Sequence, residues 1–127
     1  MSLRSPLGRV LGLGAAKQGA GHWWSQRLTS VALVALGIWL LASLWALHGF
    51  DYDTVIRWIR HPIDATLLTL FVIVSAYHSQ LGMQVVIEDY VQGAFKTISI
   101  VLSNFLHVAI GALGVIAVLR IAFGGAA

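Results

Sequence analysis

The stretch ATLLTLFVIVSAYHSQLGMQVVI, residues 65–87, decides the fold: across 23 residues it holds no Asp, Glu, Lys or Arg. A helix rises about 1.5 Å per residue and the hydrocarbon layer of a bilayer is roughly 30 Å thick, so a run of this length crosses once with a modest tilt. Two more uncharged runs of the same length, 28–50 and 97–119, stand on either side of it. The whole chain of 127 residues is 58% hydrophobic and 10% charged, which leaves too little polar surface to cover a soluble globule of this size. The expected architecture is all-α and integral to the membrane. Three transmembrane helices are predicted, over about 28–50, 63–87 and 97–121, behind an N-terminal arm of residues 1–27.

Three spans use most of the chain, so residues 1–127 read as one membrane-anchor domain with no second folded unit. Three such helices make a thin bundle. Intramembrane polar side chains such as His78, Asn104 and His107 then need shielding from lipid, and a heteromeric helix bundle supplies it. The absence of cysteine excludes a disulfide framework, thiolate iron–sulfur ligation and a cysteine nucleophile. The pI near 9.8 rests on a net charge of only +3. Its basic residues Arg4, Arg9, Lys17 and Arg27 all precede the first span, a pattern of membrane topology rather than of nucleic-acid binding.

Counting Lys and Arg on alternate sides places five with the arm and second connection and three with the first connection and C-terminus. The positive-inside rule therefore predicts a cytoplasmic arm and a periplasmic C-terminus. The first long apolar stretch begins near Leu28, far behind the basic residues. That spacing argues for a retained span rather than a cleaved signal peptide, and an uncleaved bacterial protein is the expectation. In the first connection, residues 54–59 predict a short interfacial helical turn. Pro62 suits the first turn of the second span, and Gly93 suits the break between the second and third.

An ionisable residue inside the membrane is costly, so each is a functional-site candidate. His78 lies nine residues before the cytoplasmic end of its run, about 13 Å along the axis, hence near mid-membrane. At about 100° per residue, Gly82, Val85 and Asp89 share its stripe, and Gly82 removes a side chain where a flat ligand or neighbouring helix would approach. A neutral imidazole is a strong ligand for heme iron. It is equally suited to an interhelical hydrogen bond, and position does not choose between the two.

Tyr90 and Asp89 stand at the membrane–water boundary, where a phenol anchors a helix or, beside a carboxylate, donates to a quinone carbonyl. Arg27, at the start of the first span, either snorkels to headgroups or pairs with a buried anion such as a heme propionate. His22 is a weaker candidate for the same task. His107 and Asn104 share a face of the third span, an arrangement that favours an interhelical hydrogen bond over a second ligand site.

The segment His78-Ser79-Gln80-Leu81-Gly82-Met83, followed by Glu88-Asp89-Tyr90, resembles the signature of the smaller (D-type) membrane anchor of succinate dehydrogenase, respiratory complex II. The segment Gly21-His22-Trp23-Trp24-Ser25-Gln26-Arg27-Leu28-Thr29 is similar to the pre-span motif of alphaproteobacterial anchors. The resemblance implies a four-subunit complex in the bacterial inner membrane: a flavoprotein subunit, an iron–sulfur subunit and two anchors that bind heme b and ubiquinone. Carried over by position, His78 is an axial ligand of the heme iron and Arg27 lies near the propionates. Tyr90 and Asp89 belong to the ubiquinone site. The partner anchor supplies the second axial ligand, and the chain carries no catalytic residue of its own. A fumarate reductase anchor, or a structural subunit of another respiratory complex, is the alternative.

Overall fold

The computed structural model describes residues 19–124. Arg4, Arg9 and Lys17, on which the topological expectation leans, lie outside the described residues. Four helices follow in order: α1 (Gly19–Ala46), α2 (Tyr52–Arg60), α3 (Pro62–Tyr90) and α4 (Ala94–Ala122). Three of them, α1, α3 and α4, are long and apolar enough to cross a membrane, and no strand occurs among the described residues. The chain is an all-α, multi-pass membrane protein.

Helix α1 begins nine residues before the first uncharged run and stops four before its end. The early start follows from Trp23-Trp24-Ser25-Gln26-Arg27, which contains no helix breaker. The indoles of Trp23 and Trp24 stack with centroids 5.9 Å apart, and Arg27 lies over the Trp23 ring at 4.7 Å. Polar and aromatic residues thus prolong the helix into the interfacial layer. The early stop leaves His48-Gly49-Phe50 as the link to α2.

Three of the helices start on residues suited to the task. Asp51 takes an extended conformation and its carboxylate accepts the Thr54 amide at 3.0 Å, an N-cap that starts α2. Thr54, through its side chain first and this amide second, holds the Asp51 carboxyl below its ordinary pKa. Pro62 opens α3, where its missing N–H is not needed. Gly93 initiates α4 at φ 66°, ψ −151°, a backbone region reserved for glycine. At opposite ends of the molecule, Lys96 Nζ donates to the Glu88 carbonyl of α3 at 2.9 Å, and Arg60 Nε to the Ile121 carbonyl of α4 at 3.3 Å. The first satisfies a last-turn carbonyl that has no intrahelical donor, and the second adds a donor to a carbonyl that also accepts the Gly124 amide at 3.1 Å.

The packing is an open row. Helix α3 contacts α1 on one side and α4 on the other, whereas the backbones of α1 and α4 do not approach each other. The amphipathic α2 lies across one end against α3 and α4, and Trp58 stacks on Trp39 of α1. Between α3 and α4 the approach is close because Gly111 and Gly114 present no side chain. A Cβ built on Gly111 would stand 3.1 Å from Ala76 Cβ, and one on Gly114 only 2.7 Å from Val72 Cγ1. Among the described residues only Ala65, Leu81 and Ile87 are buried hydrophobic side chains, so lipid or other subunits must cover nearly everything else there.

Several hydroxyls inside the spans are satisfied within their own helix. Thr66 and Thr69 donate to carbonyls four residues back at 2.8 Å, and Ser30 does the same.

Candidate functional site

On α1, residues 22, 26, 29 and 33 recur at helical spacing and form a stripe toward α3. Gln26 and Thr29 of that stripe meet His78. Thr29 Oγ1 is 2.9 Å from His78 Nδ1, and Gln26 Nε2 is 3.5 Å from His78 Nε2. One turn along α3, Gly82 leaves room for the Gln26 amide: a Cβ there would sit 3.7 Å from Gln26 Nε2. The His78 stripe thus faces this chain's own first helix, at a spacing that a Cβ on Gly82 would also tolerate. His22 is half-buried one turn from Gln26, and its Nε2 and the Gln26 Oε1 are buried without a hydrogen-bond partner. These orphaned atoms mark the stripe as a polar surface that α1 and α3 do not complete by themselves.

The other mid-span histidine is differently placed. His107 is 2.8 Å through Nδ1 from the Ser103 carbonyl, which obliges that nitrogen to carry the proton, and 3.1 Å through Nε2 from Ser79 Oγ. Both ring nitrogens therefore have protein partners at good distance. Beside it, Gln80 Nε2 donates to Asn104 Oδ1 at 2.7 Å. This polar bridge between α3 and α4 agrees with the structural reading of His107 and Asn104. By contrast, His78 has one firmly engaged nitrogen and one whose only partner stands at the outer limit of a hydrogen bond. The two histidines, alike in depth by sequence, are separated by this difference.

The remaining predicted residues lie apart from His78. Asp89 and Tyr90 close α3, eleven and twelve residues on, about 16–18 Å along the axis. Both are exposed, Tyr90 to 83%, and neither makes a hydrogen bond among the described residues. Arg27 is exposed and sits over Trp23. It points about 130° away from the midline of Gln26 and Thr29, so α1 does not carry it toward His78. Sequence reading did not single out Gln26 and Thr29, the residues that touch His78. Their spacing of three, one turn behind His22, was the available signal.

Between α3 and α4 a groove of about 610 Å³ runs from Gln80 and Asn104 at one end past Tyr77 and Gly111 to Ile73, Val115 and Ile116 at the other. It is apolar along most of its length and polar at the end where Gln80, Asn104 and His107 line it.

Three long apolar helices in an open row, with polar stripes left incomplete between them, define a membrane-anchor subunit that works within a larger complex. A sequence profile of the succinate dehydrogenase/fumarate reductase transmembrane subunit matches residues 1–120. The chain belongs to that family. It is 41% identical over 88 residues to the succinate dehydrogenase hydrophobic membrane anchor subunit of Rickettsia bellii, covering 69% of this chain and 70% of the relative. To the subunit of the same name from Paracoccus denitrificans it is 30% identical over 113 residues, 89% of this chain and 88% of the relative. The Rickettsia conorii subunit is 37% identical over 79 residues, 61% of this chain and 63% of the relative. No solved structure gives a significant match.

Proposed function

We propose that the chain anchors a succinate:ubiquinone oxidoreductase in the bacterial inner membrane, with its N-terminus cytoplasmic and its C-terminus periplasmic. In this reading it holds heme b through His78 and lends Tyr90 and Asp89 to the ubiquinone site. Its partners are a second anchor, which supplies the other axial ligand, an iron–sulfur subunit and a flavoprotein subunit. The relatives' names support succinate dehydrogenase over fumarate reductase.

The observation that carries the heme assignment is the state of the two imidazoles: His107 is saturated by Ser79 and Ser103, whereas His78 keeps one nitrogen in a weak contact with a displaceable amide. An imidazole with one engaged and one available nitrogen is the donor that an axial site requires. When bound, the heme supplies a one-electron redox centre in the low-dielectric interior. Tyr90 and Asp89 act at the water boundary instead. The phenol can donate a hydrogen bond to a quinone carbonyl, and the neighbouring carboxylate can hold a proton for delivery to it. Arg27 reaches a propionate only by leaving Trp23, so its part in this reading depends on a rearrangement on assembly.

The purified complex should show the optical and electron paramagnetic resonance spectrum of a low-spin bis-histidine heme, lost or altered in His78→Ala. An unchanged spectrum in that variant overturns the ligand assignment. Tyr90→Phe should lower succinate–quinone reductase activity while sparing succinate oxidation with an artificial acceptor. Equal loss of both would indicate faulty assembly.

A further inference from the structure

We infer that Thr29 is the positioning residue of His78: its hydroxyl fixes the imidazole in the Nδ1–H tautomer and so directs the Nε2 lone pair outward as the coordinating atom. The inference rests on the reading of His78 as a heme ligand and adds a residue from another helix to it.

A threonine hydroxyl has one hydrogen and two lone pairs. In α1 the Thr29 Oγ1 lies 2.8 Å from the Ser25 carbonyl and 3.0 Å from the Gln26 carbonyl. Carbonyls only accept, so the single hydroxyl hydrogen is committed to the helix backbone. What Thr29 can offer His78 Nδ1, at 2.9 Å, is a lone pair. The imidazole must therefore donate there, and its Nδ1 carries the proton. In the neutral ring this leaves Nε2 unprotonated. Among the described residues its hydrogen-bond partner is the Gln26 amide nitrogen at 3.5 Å, on a flexible side chain that a stronger partner can displace.

The arrangement has two chemical effects. It removes the tautomeric choice that would otherwise place the proton on either nitrogen. It also makes Nε2 a better electron donor, because a hydrogen bond from Nδ1–H shifts density into the ring. A more basic axial ligand favours the ferric iron, so the Thr29 hydroxyl lowers the heme potential. Both effects come from α1, which carries Thr29 alongside α3. The contacts of the Thr29 hydroxyl with the Ser25 and Gln26 carbonyls hold its oxygen in one direction.

The test uses the assembled complex in three forms: wild type, Thr29→Val, which keeps the shape and removes the oxygen, and Thr29→Ser, which keeps the oxygen. Heme potential by spectroelectrochemical titration and the rate of heme transfer to an apo-globin acceptor are measured for each. Thr29→Val should raise the potential and release heme about 10–100-fold faster, the range typical of lost outer-shell partners, while Thr29→Ser stays close to wild type. If Thr29→Val does not assemble, Thr29→Ala compared with Thr29→Ser gives the same contrast. Equal potentials and equal heme release in the variants with and without the hydroxyl overturn the role of Thr29. His78→Ala run in parallel separates the two failures. A bis-histidine spectrum persisting there overturns the ligand reading and this inference together, whereas its loss with an indifferent Thr29→Val overturns only the inference.

Discussion

Substituting Gly114 by alanine tests whether the α3–α4 seam is as tight as its geometry requires. The added Cβ would lie 2.7 Å from Val72 Cγ1, with Val72 Cγ2 at 3.7 Å and Cβ at 3.8 Å. Carbon atoms pack best about 3.5–4.0 Å apart, so the nearer contact is short by roughly 1 Å. Valine in a helix holds essentially one χ1 rotamer and cannot swing clear. The helices must part at this level instead, at a cost of about 1–3 kcal/mol, the range for overpacking a fitted site. Gly37→Ala is the control, because a Cβ there meets nothing within 4 Å. Thermal inactivation of succinate–quinone reductase in the detergent-solubilised complex is the assay. Gly114→Ala should lower the inactivation temperature and Gly37→Ala should not. Adding Val72→Ala, which removes the offending methyl, should recover part of the loss, giving a coupling of about 1 kcal/mol in a double-mutant cycle. Additive effects of the two substitutions, or equal stability of Gly114→Ala and Gly37→Ala, would refute the reasoning.

Asn104→Leu should leave the Gln80 amide without its 2.7 Å partner inside the membrane and destabilise the complex by about 0.6–2 kcal/mol in the same thermal assay. Lys96→Met removes the cation that caps the Glu88 carbonyl, so amides in the last turn of α3 should exchange faster with deuterium. Because Asp89 and Tyr90 belong to that turn, the KM for quinone should rise while succinate oxidation with an artificial acceptor is unchanged. The Asp51 cap should be pH-sensitive. Its carboxyl titrates below its ordinary value of 3.8 in the folded chain, so the cap is complete at neutral pH and is lost only as pH falls through the native carboxyl's lowered range. Deuterium exchange at the α2 amides should accelerate there, and Asp51→Ala should show the faster exchange at all pH values.

Helix number and membrane class were legible because they depend on long-range composition: three uncharged runs, each long enough to cross, admit no other placement in lipid. Pro62, Gly93 and the turn near Thr54 were legible because their backbone chemistry is local. The start of α1 was not, since hydropathy marks where charge ends and not where a helix begins, and Trp23 to Arg27 continue it without apolar character. The same blindness hid the surroundings of His78. Stripe geometry put Gly82 and Val85 beside it, but which helix faces that stripe depends on the order of helices across the row. Only with α3 in the middle do Gln26 and Thr29 become its neighbours. His107 shows the reverse case, where Asn104 three residues away pointed to an interhelical bridge that Gln80 and Ser79 complete.

The open row of helices bears on supply as well as on structure. With α1 and α4 apart and three hydrophobic side chains buried among the described residues, a copy without company has little of its own to hold it closed in its membrane. Such a copy spends much of its time partly open and is cleared by proteolysis faster than one that is enclosed. The steady amount of the chain in a cell is then set less by its own synthesis than by the number of places waiting to receive it.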